Sequence, residues 1–264
     1  MGAMWPVLAR LGPWTLSTYS AALILGLALA LAALYQAAPP ERRTRWLDAG
    51  LAAIVGGLVG ARLLYVVVNG AYFGAHLDEA LMLWRGGLAW PGAALGGLAG
   101  AWLYARRTGE PLLPLLDTLA WPLVVLSLLS WGGCLAAGCA YGLEVQPGQW
   151  PDWLVTTAPD LYGLSVPRWP TQAAGMIWSA LALSQVLPSR GRRWPAGALG
   201  WYALSLVALG PFLLGFLRGD PMPQLAGFRL DVVGSALVLL AATLAWAVRL
   251  RVVQPGTTPA EPLP

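Results

Sequence analysis

Apolar residues in this chain run in long stretches broken by short clusters of arginine, glycine and proline. A hydrocarbon layer about 30 Å thick takes roughly 20 apolar residues in helix to cross. Seven stretches meet that need: Thr15–Ala38, Leu47–Val68, Leu88–Ala105, Leu112–Leu135, Thr171–Leu187, Ala196–Leu217 and Leu230–Val248. The pattern predicts an all-α integral membrane protein, with seven transmembrane helices over residues 1–251 and outer-side loops forming a small cap. From Val252 the chain turns polar and proline-rich, which predicts a disordered cytoplasmic tail over 252–264. No charged start and small-residue cleavage site precedes the first span, so no removable leader is expected.

Composition agrees. Of 264 residues, 58% are apolar and 11% charged, against about 25% charged in soluble proteins. All sixteen basic residues are arginine. Ten of them (Arg42, Arg43, Arg45, Arg106, Arg107, Arg190, Arg192, Arg193, Arg249 and Arg251) follow the odd-numbered spans, and five (Arg10, Arg85, Arg168, Arg218 and Arg229) lie on the other side. The positive-inside rule then puts the N-terminus outside and the C-terminus in the cytoplasm. The net charge of +4 is spread thinly between apolar runs rather than gathered into a patch, so no nucleic-acid partner is expected. One histidine and two cysteines do not make a multi-ligand metal centre, and neither metal nor cofactor is expected.

Within the spans, polar groups are few. Arg62 sits in GARLLYVV, where a cation costs upward of about 2.5 kcal/mol and therefore faces a polar cavity or partner, unless it snorkels outward. Asp117 in the fourth span is a candidate partner, while Asp231 belongs at the interface. His76 stands in a polar loop beside Asp78 and Glu79 and reads as solvated. Cys134 and Cys139 are five apart; on a continuous helix that leaves the thiols roughly 140° apart, unpaired and inert, unless the glycines at 132, 133, 138 and 142 break the helix. The many small residues, such as Gly56-Gly57, Gly60 and Gly96-Gly97, read as close helix packing. The loop Gly142–Pro170 carries Trp150, Trp153, Tyr162 and Trp169, as expected at headgroup level.

Taken in order, several stretches resemble the prolipoprotein diacylglyceryl transferase family. GARLLYVV is similar to its GGRxGYV, with Arg62 on the arginine, and WRGGLAWPGA (Trp84–Ala93) to its WxGGxSFHGG. SWGGCLAAGCAYG (Ser130–Gly142) is similar to its signature GRxGNFxNGExxG, whose arginine position, Trp131, stands fourteen residues after a matching Asp117. PRWPTQ (Pro167–Gln172) resembles RHPxQ, and FLRGD (Phe216–Asp220) the arginine-bearing end of the sixth span. The resemblance implies seven spans in a bacterial inner membrane and a cavity open toward the outer leaflet. It implies transfer of diacylglyceryl from phosphatidylglycerol to a prolipoprotein cysteine thiol, that is, lipoprotein biosynthesis. Arg62, Arg168, Arg218 and Gln172 become candidates for binding the lipid headgroup, and Tyr19 is retained. Departures fall on the chemistry. The family histidine corresponds to Pro91, the signature arginine to Trp131, its asparagines to Cys134 and Ala137, its glutamate to Cys139, and a sixth-span arginine to Pro211.

Four readings follow. The chain is a diacylglyceryl transferase-like enzyme, a non-catalytic relative binding phosphatidylglycerol or another anionic lipid, a thiol-based membrane enzyme using Cys134 and Cys139, or a structural bundle. The first is the choice, with Tyr19, Cys134 and Cys139 as catalytic candidates.

Overall fold

The computed structural model describes residues 7–11, 14–82, 87–157, 159–160 and 162–252. The expected tail and part of the Trp84–Ala93 stretch, Arg85 included, lie outside the described residues. Among the described residues, strands β1 (Val7–Leu11) and β2 (Trp14–Ser17) pair antiparallel ahead of α1 (Thr18–Ala37). The Ser17 hydroxyl accepts from the Ser20 N–H at 3.0 Å, so α1 starts on a side-chain cap. Then come α2 (Arg43–Val68), the short α3 (Gly70–Ala75), α4 (Trp90–Thr108) and α5 (Leu112–Ala137). α6 (Thr171–Ser189) and α7 (Ala198–Gly215) lead into a small hairpin, β3 (Gln224–Leu225) with β4 (Phe228–Arg229), and α8 (Leu230–Val252) closes the order.

Each expected span is therefore met by a helix of 18 to 26 residues. Five of these, α1, α2, α5, α7 and α8, are long and apolar enough to cross a membrane. α4 carries four glycines in its interior, and α6 carries Thr171, Gln172, Ser179, Ser184 and Gln185, which makes both less apolar. The burial pattern suits a lipid solvent. Small residues such as Ala120, Ala182 and Ala203 fill the interior, while Ile24, Val59, Leu240 and Leu244 face outward. Pro122, Pro188 and Pro211 lie inside helices, which neighbouring helices and side-chain donors make tolerable. The Trp178 indole donates to the Leu206 carbonyl at 2.7 Å, one turn before Pro211.

The tightest seam joins α2 to α4, and small residues are its cause. A Cβ added at Gly96 would lie 2.1 Å from the Gly56 carbonyl oxygen, and one at Gly60 would lie 2.4 Å from that of Gly92. Only hydrogen fits there, so the two backbones touch along the glycine face. At one end of this seam Glu110 is buried and takes Arg45 at 3.3 Å and Arg42 at 3.7 Å. At the other end sits Arg62.

Gly96→Ala is expected to push the helices apart and to destabilise the protein by about 1–3 kcal/mol, the usual cost of overpacking. Gly74, with nothing within 4 Å of an added Cβ, is the control, and Gly74→Ala is expected to leave the unfolding midpoint in detergent unchanged. Equal midpoints for both variants would show that the seam is not close-packed.

Candidate functional site

Contacts sort the helix ends into two groups. Arg249 donates to the Ala196 carbonyl, Arg45 reaches Glu110, and Asp117 binds Gly197 and Gly200, which gathers one end of the bundle. Trp90 donates to Ser235 at 3.0 Å, and segments 141–145, 167–169 and 217–219 bond to one another, which gathers the opposite end. The candidate residues Tyr19, Arg62, Arg168, Gln172 and Arg218 all stand at this second end.

Arg62 is 7% exposed, far below what a snorkelling side chain needs. It buries its charge by taking acceptors from the connection between α2 and α4. Its Nε donates to the Ala80 carbonyl at 2.8 Å, Nη1 to that of Gly87 at 3.1 Å and Nη2 to that of Glu79 at 2.6 Å. The Tyr65 and Phe73 rings flank it at 5.7 and 5.3 Å. It also lines a cavity of about 430 Å³ with Asn69, Tyr72, Phe73 and Glu79, within the size range of ligand sites. The Tyr72 hydroxyl donates to the Glu79 carboxylate at 2.7 Å. A fixed cation thus faces a carboxylate and a phenol across one hollow. His76 is exposed on the rim, its ring stacked on Tyr72 at 4.5 Å.

Arg168, Arg218 and Gln172 converge on a different segment. Residues 141–145 lie between two extended pieces: Leu143 N–H donates to the Leu217 carbonyl at 2.8 Å, and Trp169 N–H to the Leu143 carbonyl at 3.1 Å. Gln172 donates to the Cys139 carbonyl at 3.0 Å, and Thr171 to that of Ala140 at 2.6 Å. Arg168, 3% exposed, sits over the Tyr141 ring at 4.4 Å and pairs with Asp160 at 2.9 Å and Glu144 at 3.0 Å. Its Nε and Nη1 are buried and make no hydrogen bond among the described residues. Burial pushes the Tyr141 phenol up despite the neighbouring Arg168, so it stays neutral. Burial also pushes the Asp160 carboxyl up, but the N–H groups of Leu164 and Tyr162 and the Arg168 charge outweigh it, and the group ends below its ordinary 3.8.

Arg218 belongs to a quartet. It binds Asp220 through Nε at 2.8 Å and through Nη2, and meets Asp231 at 3.1 Å; Arg229 bridges the same two carboxylates at 3.3 and 3.1 Å. Burial lowers the pKa of Arg218, yet Asp220 and Asp231 outweigh it and hold the guanidinium above its ordinary value. Two cations and two carboxylates leave no net charge there. Tyr19 packs against Gly133 of α5, close enough to Arg218 for its charge to be felt.

Several expectations are corrected. Asp117 does not pair with Arg62; its oxygens accept from Gly197 N–H at 2.7 Å and Gly200 N–H at 2.9 Å, because a carboxylate is favoured at the open N-terminus of α7. Cys134 and Cys139 are not free inert thiols but a disulfide, with Cα atoms 4.7 Å apart. The helix stops at Ala137, Gly138 turns left-handed (φ 73°), and Cys139 N–H closes back on the Cys134 carbonyl at 3.0 Å. The helical angle between the thiols therefore no longer applies. As catalytic candidates both cysteines lack a thiolate. Asp231, at the start of α8, is one of the two carboxylates of the quartet. Pro91 and Trp131 are packing residues: added Cβ atoms at Gly234 and Gly175 would meet them at 2.7 and 2.2 Å.

Sequence reasoning overlooked Tyr72, gave Glu79 no role beyond neighbouring His76, and missed the carboxylates opposite the arginines. One signal was available: Arg218 and Asp220, like Arg229 and Asp231, stand two apart, the spacing that puts side chains on one side of an extended segment.

A bundle of apolar helices with guanidinium groups buried at one end defines a membrane protein of the cation-lined type. Comparison with known sequences makes it particular: the family description prolipoprotein diacylglyceryl transferase matches residues 6–248. The phosphatidylglycerol–prolipoprotein diacylglyceryl transferase of Frankia alni is 30% identical over 270 residues, covering 96% of this chain and 68% of its own. That of Mycobacteroides abscessus is 31% identical over 256 residues (88% and 74%), and that of Symbiobacterium thermophilum 28% over 258 (92% and 93%). The chain belongs to the prolipoprotein diacylglyceryl transferase family.

Asp160 gives a pH test. Its folded pKa is depressed, so its contribution is present above the unfolded value of about 3.9 and lost as pH falls through the folded one. Amide exchange at Thr156 and Arg168, which bond each other, is expected to be slow from pH 7 to 5 and to quicken below about pH 4 after correction for intrinsic rates. Asp160→Asn is expected to quicken it already at pH 7; unchanged exchange in that variant would remove Asp160 from the latch.

Proposed function

We propose that this chain is a membrane transferase of the diacylglyceryl type, taking phosphatidylglycerol as donor and a prolipoprotein cysteine as acceptor. Its seven long helices span a bacterial inner membrane, N-terminus outside and C-terminus cytoplasmic, and the loops over the Arg62 end form an outer cap. The ten-against-five arginine asymmetry supports that orientation, and the names of the relatives support the substrates. The observation that carries the reading is the cavity in which Arg62, Tyr72 and Glu79 meet.

The reaction forms a carbon–sulfur bond and breaks the glycerol carbon–oxygen bond to phosphate, so glycerol phosphate leaves with the electron pair. A thiol has a pKa near about 8.5 and must lose its proton first. Arg62, locked by three carbonyls, meets the phosphate and its growing negative charge without reorganising. The Glu79 carboxylate, oriented by Tyr72, accepts the thiol proton, the task left open by Pro91. Arg168, Arg218 and Gln172 flank the headgroup from the neighbouring segment, where Arg168 still has two donors to give, and Tyr19 lies beside them. The oxidised Cys134–Cys139 pair fixes the end of α5, and thiol chemistry by this chain would need that bond opened.

A second reading has its own observation. Pro91, Trp131 and the disulfide fill the family's polar positions with packing groups, which favours a relative that binds anionic lipid without turning it over.

The test is reconstitution with phosphatidylglycerol and a peptide bearing a lipidation-motif cysteine, read by mass spectrometry. The account expects the diacylglyceryl adduct. It expects Arg62→Leu to weaken phosphatidylglycerol binding at least about tenfold, since a buried charged contact is worth more than 1.4 kcal/mol. Glu79→Gln is expected to keep the lipid but to slow transfer by about 10²–10⁴. Lipid retention with no adduct in any condition selects the second reading; equal lipid retention in Arg62→Leu contradicts both.

A further inference from the structure

The bundle end opposite Arg62 carries a second hollow, of about 340 Å³, between α6, α7 and α8. Three aromatic rings wall it: Trp194 stacks on Tyr202 at 6.0 Å, and Tyr202 meets Trp246 at 5.1 Å. Most of its polar groups are already spent. The Tyr202 hydroxyl donates to Gln185 at 2.7 Å, and the Trp194 indole to the Ser189 carbonyl at 2.9 Å. Two donors remain. The Trp246 indole N–H is buried without a partner, and the exposed Arg192 guanidinium makes no hydrogen bond or ion pair among the described residues. No carboxylate lines the hollow, while Arg190 and Arg193 neighbour Arg192 in sequence and Arg249 and Arg251 stand in the last turn of α8.

An unpaired buried N–H and an uncompensated cation call for a ligand that only accepts hydrogen bonds and carries negative charge. A phosphodiester is such a group. What decides its source is the surface below. Leu181 and Ile177, one and two turns deeper on the α6 face that ends in Gln185 and Pro188, are 54% and 63% exposed. They continue the hollow as an apolar track along the bundle, of the kind an acyl chain follows. Basic pockets between membrane helices with aromatic rims at headgroup level hold anionic phospholipids for these reasons.

We infer that this hollow is a second lipid site, in which Arg192 and the Trp246 indole hold the phosphate of an anionic phospholipid in the leaflet at the arginine-rich end. It is separate from the Arg62 cavity and does not depend on the reading given there. It ties α6, α7 and α8 to the membrane at the end that contains the Asp117 cap of α7.

Native mass spectrometry of the full chain, released from micelles with added phosphatidylglycerol or phosphatidylcholine, tests it. The expected result is a tightly retained phosphatidylglycerol that Arg192→Gln or Trp246→Phe weakens at least tenfold, with no change in retained phosphatidylcholine. Arg192 is exposed and Trp246→Phe keeps the ring, so each variant is expected to melt as the parent does. Unchanged phosphatidylglycerol retention in both variants overturns the site. Equal retention of phosphatidylcholine overturns its anion selectivity. Displacement by millimolar inorganic phosphate, with no dependence on acyl chains, assigns the hollow to a soluble anion and overturns the lipid.

Discussion

A guanidinium group inside an apolar layer is tolerable only where acceptors are brought to it, and this requirement shapes one whole end of the protein. Arg62 draws the connection between α2 and α4 back onto the helix that bears it, through three backbone carbonyls. Arg168 draws in Asp160 and Glu144, and Arg218 and Arg229 draw in Asp220 and Asp231. The chemistry of the three cases differs. Carboxylates meet Arg168 and Arg218, whereas three backbone carbonyls orient Arg62 at the wall of its cavity. The Arg62 cavity is the seat proposed for the anionic headgroup.

The glycine seam between α2 and α4 makes that placement possible. With backbones in contact, Arg62 of α2 lies close to Gly87, just ahead of α4, and its side chain can reach across. Buried Glu110 with Arg42 and Arg45 closes the far end of the same pair. The disulfide, Gln172 and Thr171 likewise fix the exit of α5, so that residues 141–145 can serve as the central piece between 167–169 and 217–219. Rigid helix ends thus hold short irregular segments, and those segments hold the cations.

Much of the architecture was legible in the sequence because long apolar runs and their arginine punctuation are direct consequences of the solvent. Each of the seven expected stretches contains a helix, and Gly56, Gly60 and Gly96 pack as small residues should. The disulfide was missed because the angle between two thiols was reckoned along a helix that Gly138 ends early. Asp117 was assigned to a cation because both lie in apolar runs; a helix start lacking its own cap is an equally good partner and was nearer. Glu79 and Tyr72 looked like ordinary polar loop residues, since nothing in their spacing announces that the loop folds over Arg62. Pro91 and Trp131, which stand at motif positions in the resemblance, are packing groups against Gly234 and Gly175.

The proposed function requires the Arg62 guanidinium to hold a phosphate. The most direct measurement is a crystal structure grown from a lipidic mesophase doped with phosphatidylglycerol. The account predicts phosphate density within hydrogen-bonding distance of the Arg62 guanidinium, inside the cavity shared with Tyr72 and Glu79. A saturated lipid bath that leaves this cavity without phosphate, with lipid headgroups ordered only elsewhere, would contradict it.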